Sequence, residues 1–283
     1  MKVSYYPGCS LHGTGKEYDL SLKAVCGALG IELKEIDDWA CCGASSAHAL
    51  NFVLSVYLPA KDLIAAEKEG LRKLLVPCAA CFNRMKFAQY HLRKDPEMRK
   101  EVEDIVGAPY RDTITIFNAI DFFSHAVGVE KVTAQIRKPL HGLKPVSYLG
   151  CLLLRPPKIC TFDDYENPVL LDKLMEALGS EVIPWSYKTD CCGGSLTISK
   201  TKYVIKLVDK LMTMAGEAGA NCVVTACPVC MANLDMRTSE RLRMPIFYFT
   251  ELMALAMGVP GTERWFHMHN IDVMPLLLGL GLL

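Results

Sequence analysis

Val3-Ser4-Tyr5-Tyr6-Pro7-Gly8-Cys9 returns half a chain later as Val146-Ser147-Tyr148-Leu149-Gly150-Cys151. A short apolar run ending in Gly-Cys reads as a β-strand entering a tight loop, and its recurrence points to an internal duplication. Other matches follow in the same order. Ala28-Leu29-Gly30 pairs with Ala177-Leu178-Gly179, ahead of the apolar stretches Ile31 to Ile36 and Val182 to Trp185. Cys41-Cys42-Gly43 pairs with Cys191-Cys192-Gly193, and Val76-Pro77-Cys78-Ala79-Ala80-Cys81 with Thr225-Ala226-Cys227-Pro228-Val229-Cys230. Further on, Thr113 to Phe117 and Ile246 to Phe249 are β-type runs, each leading into a helical pattern.

Five cysteines per copy thus fall into register: Cys9, Cys41, Cys42, Cys78 and Cys81, then Cys151, Cys191, Cys192, Cys227 and Cys230. The intervening residues number 31, 35 and 2 in the first copy and 39, 34 and 2 in the second. Cys26, Cys160 and Cys222 stand outside the register. Strand candidates are Val3 to Tyr6, Glu32 to Ile36 and Leu74 to Val76. Asn167 to Leu178 puts Leu170, Leu171, Leu174, Met175 and Leu178 on one helical face and stops at Gly179. Strands alternating with helices predict an α/β fold of two pseudo-symmetric repeats, each a parallel sheet flanked by helices. The expected halves are residues 1–140 and 145–283, joined near Arg137 to Pro145, where Pro, Gly and basic residues collect. Every cysteine in register follows a strand candidate and precedes a helical one. The thiols should therefore gather at the carboxyl ends of the strands, where open α/β sheets place their ligands.

Composition narrows the function. Thirty-one Lys plus Arg balance thirty-one Asp plus Glu, so no net field draws nucleic acid or an anionic membrane. No run approaches the roughly 18 apolar residues of a spanning helix, and the first residues lack a signal-peptide pattern, which together predict a cytoplasmic protein. The apolar tail Leu276 to Leu283 packs either on a partner chain or on this chain's own core. Thirteen cysteines in a reducing compartment point to metal or redox chemistry rather than disulfides.

A Cys-x-x-Cys knuckle with two further thiols satisfies a zinc ion and leaves the fifth surplus. An ordinary four-iron cluster also takes four, so five in register argue for an expanded or distorted cluster. The adjacent pair supports this, because neighbouring residues of a strand point apart and need a tight turn to aim at one site. No Cys-x-x-Cys-x-x-Cys-x-x-x-Cys-Pro run marks a ferredoxin-type cluster, and no Gly-x-Gly-x-x-Gly turn marks a dinucleotide.

The doubled pattern of Cys, Cys-Cys-Gly and Cys-x-x-Cys resembles the paired CCG domains of the heterodisulfide reductase B-subunit family, from Val3 to about Met253. The resemblance implies that Cys9, Cys41, Cys42, Cys78 and Cys81 ligate one noncubane four-iron cluster, and Cys151, Cys191, Cys192, Cys227 and Cys230 another. It implies an oxidoreductase component that cleaves a small-molecule or protein disulfide, or oxidises thiols, by one-electron steps between the clusters. It also implies a heterodisulfide reductase-type complex in which a small ferredoxin-like subunit feeds this chain and is itself fed by a flavin-containing subunit. The spacing before the second Cys-x-x-Cys is one residue shorter than in the first copy. CCG domains also resemble parts of lactate- and glycolate-oxidising systems, where the expected role is electron transfer without disulfide chemistry. A zinc scaffold is the remaining alternative.

Among weaker signals, Cys26 and Cys222 read as core thiols and Cys160 as an incidental one or a pocket residue. His12 and His48 follow Cys9 and Cys42 and are placed to donate to sulfur or to substrate, or to serve as caps. Arg155, Lys158, Lys188, Lys200 and Lys202 form either a solvated face or a site for an anionic thiol.

Overall fold

The structure, a computed structural model, describes residues 1–44 and 47–283. Its first sheet contains β1 (Lys2–Tyr5), β2 (Glu32–Glu35), β3 (Lys73–Leu75) and β4 (Thr115–Phe117) in the order β2-β1-β3-β4. The second contains β5 (Pro145–Tyr148), β6 (Cys222–Thr225) and β7 (Ile246–Tyr248) in the order β5-β6-β7. All pairings are parallel. Parallel neighbours require crossovers, and helices supply them. These are α1 (Lys16–Ala28), α2 (Phe52–Lys68) and α3 (Ala79–Lys94) around the first sheet, then α4 (Leu170–Ala177), α5 (Thr201–Glu217), α6 (Pro228–Arg237) and α7 (Phe249–Ala256) around the second. Covered on both faces, β5 and β6 are buried throughout, as the apolar run Cys222-Val223-Val224 anticipates.

The second sheet lacks a counterpart of β2. Residues 181–185 do run beside β5, with the Glu181 amide donating to Leu143 and the Ile183 amide to Pro145. Pro145 has no N–H to return a bond, and the Trp185 indole N–H donates to the Ser147 carbonyl at 2.8 Å, so regular pairing does not form. Two other expectations need correction. The Asn167 to Leu178 helix begins only at Leu170, because the Asp163 carboxylate holds the Val169 and Leu170 amides at 3.0 and 2.9 Å and sets its entry there. After Cys151 the chain makes turns rather than a helix, whereas after Pro7 it makes one helical turn, Gly8–His12.

The two sheets share one core. Helix α1 lies against α7, with Tyr18 stacked on Tyr248 at 4.3 Å and an interplanar angle of 8°. Beside that stack the Ser21 and Thr250 hydroxyls bond at 2.7 Å. Phe249 meets Tyr18 edge-on at 6.4 Å and Phe123, after β4, at 6.0 Å. In pseudo-symmetric fashion α4 packs on the helical segments Ala119–Asp121 and Val129–Thr133. The stretch expected to be a linker is anchored: Arg137 and Lys138 donate their amides to the Ala256 carbonyl, and Leu140 and Leu143 are buried. The apolar tail packs on the chain itself, with Leu277 and Leu282 buried and Leu280 against Gly142. Among the described residues no helix is long and apolar enough to cross a membrane.

Because Phe249 is buried between elements of both halves, Phe249→Ala should cost about 3–5 kcal/mol. Urea denaturation of the variant should shift both halves in a single transition. A loss below about 1 kcal/mol, or unfolding confined to one half, would contradict the shared core.

Candidate functional site

Each Cys-x-x-Cys opens a helix. Cys78 and Cys227 are the N-cap residues of α3 and α6, and Cys81 and Cys230 are the third helical residues. Three residues apart at a helix start, the two sulfurs share one side, and the free amides and positive end of the helix favour thiolate there. The neighbouring Cys81 thiol and the Cys81 and Ala80 amides hold the Cys78 thiol below the ordinary range.

The vicinal pairs lie in loops that end on Gly43 and Gly193, at φ +72° and +79°. This left-handed turn folds the backbone over the sulfurs: the Gly193 amide donates to Cys191 Sγ at 3.3 Å. Two buried tyrosines fasten the same loops. Tyr6 Oη donates to the Ala40 carbonyl and Tyr148 Oη to the Asp190 carbonyl, each at 2.7 Å and each one residue before a pair. Tyr6, not Tyr5, is therefore the counterpart of Tyr148. Counting back three residues from Cys9 and from Cys151, with Pro7 opposite Leu149, gives that register without a gap, whereas aligning Val-Ser-Tyr hides it.

Sulfurs from separate loops meet. Cys42 lies 3.3 Å from Cys81, Cys192 lies 3.6 Å from Cys230, and Cys151 lies 4.0 Å from Cys191. Cys9, Cys41 and Cys191 are exposed and Cys151 is half-buried, while Cys42, Cys78, Cys81, Cys192, Cys227 and Cys230 are buried. Contacts among the thiols shift them in opposite directions. Those with Cys41 and then Cys81 pull Cys42 far down, and one with Cys230 lowers Cys192. Their partners Cys41, Cys81 and Cys230, and likewise Cys151, are pushed up. A bond from Cys151, then the Gly193 and Gly194 amides, bring Cys191 to about 6. In each set one buried thiol of the vicinal pair, Cys42 or Cys192, is thereby favoured as thiolate.

The donors suit a soft, sulfur-loving metal centre. A Cβ on Gly8 would come within 3.0 Å of Cys81 Sγ, and one on Gly150 within 2.8 Å of Cys230 Sγ, so both nests need bare backbone at one wall. Between the nests, the fully buried Tyr18 hydroxyl has no partner among the described residues and feels Cys227 and then Cys78. Such a group is costly unless something nearby accepts its proton. These features fit iron–sulfur centres. Among the described residues no three His, Cys, Asp or Glu side chains close on a single-ion site.

A cavity of about 240 Å³ joins the second nest to residues that neighbour the first copy's cysteines in sequence. Cys151, Cys191, Cys192, Cys227 and Cys230 line it from one side, and Ala44, His48, Ala79, Ala80 and Arg84, which flank the first nest, line the other. Leu149, Leu152 and Val229 add apolar wall. Of the remaining candidates, Cys26 and Cys222 are buried in the core, and the buried Cys160 lies 3.5 Å from Asn83 Nδ2. His12 pairs with Glu35 at 3.2 Å. Arg155, Lys158, Lys200 and Lys202 are exposed. Lys188 is not on a solvated face: it is buried, bonded to the Pro168 carbonyl at 3.0 Å and paired with Asp172. Sequence reasoning missed Arg84 and Asn83. Their signal was their place one helical turn into α3, behind Cys81.

A family model described as a cysteine-rich domain, CCG, matches residues 3–86 and again 146–235. The 8-methylmenaquinol:fumarate reductase membrane anchor subunit of Wolinella succinogenes is 29% identical, over 97% of this chain and 99% of its own length. The B subunit of the ferredoxin/F(420)H(2)-dependent CoB-CoM heterodisulfide reductase of Methanosarcina acetivorans is 25% identical, over 98% and 96%. Lactate utilization protein A of Macrococcus caseolyticus is 22% identical, over 85% and 91%. In fold, the chain is similar to a hypothetical protein from Helicobacter pylori, with a TM-score of 0.73 at 12% identity. That match covers 96% of this chain and 52% of the other, so this chain spans about half of it.

In metal-free protein the exposed Cys191 should alkylate with iodoacetamide at a rate that climbs through pH 6 and levels off by about pH 8. Peptide mapping should find it modified ahead of the equally exposed Cys41. A Cys191 rate that rises only above about pH 8, as for an unassisted thiol, would contradict the hydrogen-bonded nest.

Proposed function

The chain belongs to the CCG cysteine-rich domain family as an iron–sulfur electron-transfer subunit, and from that premise we propose that it reduces a disulfide, or oxidises thiols in reverse, in the cavity between its two nests. By this reading Cys9, Cys41, Cys42, Cys78 and Cys81 hold one noncubane four-iron cluster. Cys151, Cys191, Cys192, Cys227 and Cys230 hold the other, at the carboxyl ends of the strands, one in each of the halves 1–140 and 145–283. The cavity is the observation that carries it, because a substrate there has cysteine loops on both sides. When bound, each cluster supplies one electron at a time, and the pair matches the two electrons a disulfide consumes.

The chain's own residues have separate tasks. Cleavage of R–S–S–R′ takes up two electrons and two protons and yields two thiols. Leu149, Leu152 and Val229 hold the alkyl part of the substrate and exclude water. His48, on the opposite wall and exposed to solvent, hands a proton to each product thiolate in turn and is re-protonated from water between the two. Ala79 and Ala80, between the ligands Cys78 and Cys81, keep bulky side chains out of the substrate's way. Electrons come from a ferredoxin-like subunit fed by a flavin-containing one, and the names of relatives as B subunits of larger reductases support such an assembly. Thirteen free thiols suit a cytoplasmic setting.

A second reading is an electron-transfer component for another dehydrogenase or reductase, without disulfide chemistry. The Wolinella relative, named as part of a quinol:fumarate reductase, favours it.

Protein purified without oxygen should carry iron and matching inorganic sulfide, and Cys42→Ala or Cys192→Ala should each remove about half of the iron. Zinc without sulfide would end the iron–sulfur reading. Titrating the reduced protein with candidate disulfides should bleach or shift the cluster spectrum with one disulfide consumed per two electrons. Spectra indifferent to every disulfide, together with normal transfer to a partner protein, would replace the first reading with the second.

A further inference from the structure

Aligned along their cysteines, the two copies differ in charge at several positions, two of which adjoin the cysteine loops. The third residue after each Cys-x-x-Cys is Arg84 in the first copy and Asn233 in the second. Both turn back toward the vicinal pair. Asn233 donates its amide to the Cys192 carbonyl at 3.0 Å and lies 3.6 Å from Cys192 Sγ, held by Thr197 at 2.8 Å. In its place the Arg84 guanidinium rests over the Phe87 ring at 4.6 Å and donates to Asn83 Oδ1 at 2.7 Å. Asn83 is itself pinned to the Leu152 and Arg155 carbonyls at 2.9 and 2.6 Å, so the cation is fixed in place. Arg84 lines the cavity, acts on Cys42, and has thiols rather than a carboxylate as its charged neighbours among the described residues.

The second difference acts in the same direction. The residue ahead of each vicinal pair is Ala40 in the first copy and Asp190 in the second. Asp190 is half-exposed, loosely paired with Lys210 at 3.6 Å, and acts on Cys191. Asp62, which accepts from the Ala40 amide at 2.8 Å, opposes part of the difference on the first side. A cation beside one nest and a neutral amide with an added acid beside the other leave the first side the more positive.

We infer that Arg84 and Asn233 make the two redox sites unequal, so that the first-copy site takes up an electron before the second-copy site does. Arg84 is here a positioning residue that acts through charge, and the inference rests on the reading that each nest holds a redox-active iron–sulfur core. Adding an electron makes a site more negative, and a fixed cation stabilises that state over the oxidised one. A unit charge about 10 Å away, at an effective dielectric near 20, shifts such an equilibrium roughly tenfold or more. An electron from a ferredoxin-class donor then settles on the Arg84 side of the cavity first, and a disulfide bound there meets two sites of different driving force.

Single-site proteins allow a direct test. Cys192→Ala leaves the first site and Cys42→Ala the second, and the iron and sulfide content of each shows that its remaining site is loaded. Midpoint potentials from dithionite titration, followed by visible absorption and electron paramagnetic resonance, should be higher for the first site by at least about 59 mV, a tenfold ratio for one electron. Adding Arg84→Asn to the Cys192→Ala protein should lower its midpoint by a similar amount, and Arg84→Lys should restore it. Adding Asn233→Arg to the Cys42→Ala protein should raise the second site's midpoint. Equal midpoints in loaded single-site proteins, or a first site indifferent to Arg84→Asn, would overturn the inference and leave the iron–sulfur reading standing. Single-site proteins devoid of iron would remove the premise itself.

Discussion

Thiols held in contact, as Cys42 with Cys81 and Cys192 with Cys230, repel one another once ionised and are costly to bury, so the fold must stabilise thiolate while leaving room for what binds it. The structure meets this constraint twice and in the same way. A helix start supplies amides and a positive end to Cys78 and Cys81, and to Cys227 and Cys230. A left-handed glycine turns the vicinal pair back onto its own amides. A buried phenol, Tyr6 or Tyr148, fixes the loop ahead of that pair. Sheet and helices serve mainly to deliver the cysteine loops to one place.

Duplication alone would give two isolated nests, and exchange of packing partners ties them together. Helix α1 rests on α7 of the other copy, α4 on the segments after β4, and Asn83 reaches across to Leu152 and Arg155. Both copies therefore line one cavity with unlike walls, sulfur and aliphatic carbon from the second and small residues with Arg84 and His48 from the first. Relatives matched along nearly their full length include parts of heterodisulfide reductases and of a quinol:fumarate reductase, and both uses need electrons gathered and passed on.

The repeat and the α/β alternation are legible because each rests on local pattern: strand, glycine, thiol, helix. What stayed hidden depends on long-range pairing. Nothing near residues 181–185 announces that Pro145 will withhold the returning bond. Lys188 reads as a surface cation because Asp172, its half-buried partner, is 16 residues distant. Arg84 went unnoticed because its meaning lies in comparison with Asn233, and that comparison requires the helix registers to be known. The one-residue shift between Tyr5 and Tyr6 was hidden by a tempting Val-Ser-Tyr match that the hydrogen bonds to Ala40 and Asp190 resolve.

Anomalous diffraction at the iron edge from crystals grown without oxygen tests the central claim most directly. The account predicts two separate groups of iron peaks, one within bonding distance of Cys9, Cys41, Cys42, Cys78 and Cys81 and the other of Cys151, Cys191, Cys192, Cys227 and Cys230, with the cavity between them. A single group, an isolated metal ion in either nest, or a nest whose five sulfurs do not surround one inorganic core would contradict it.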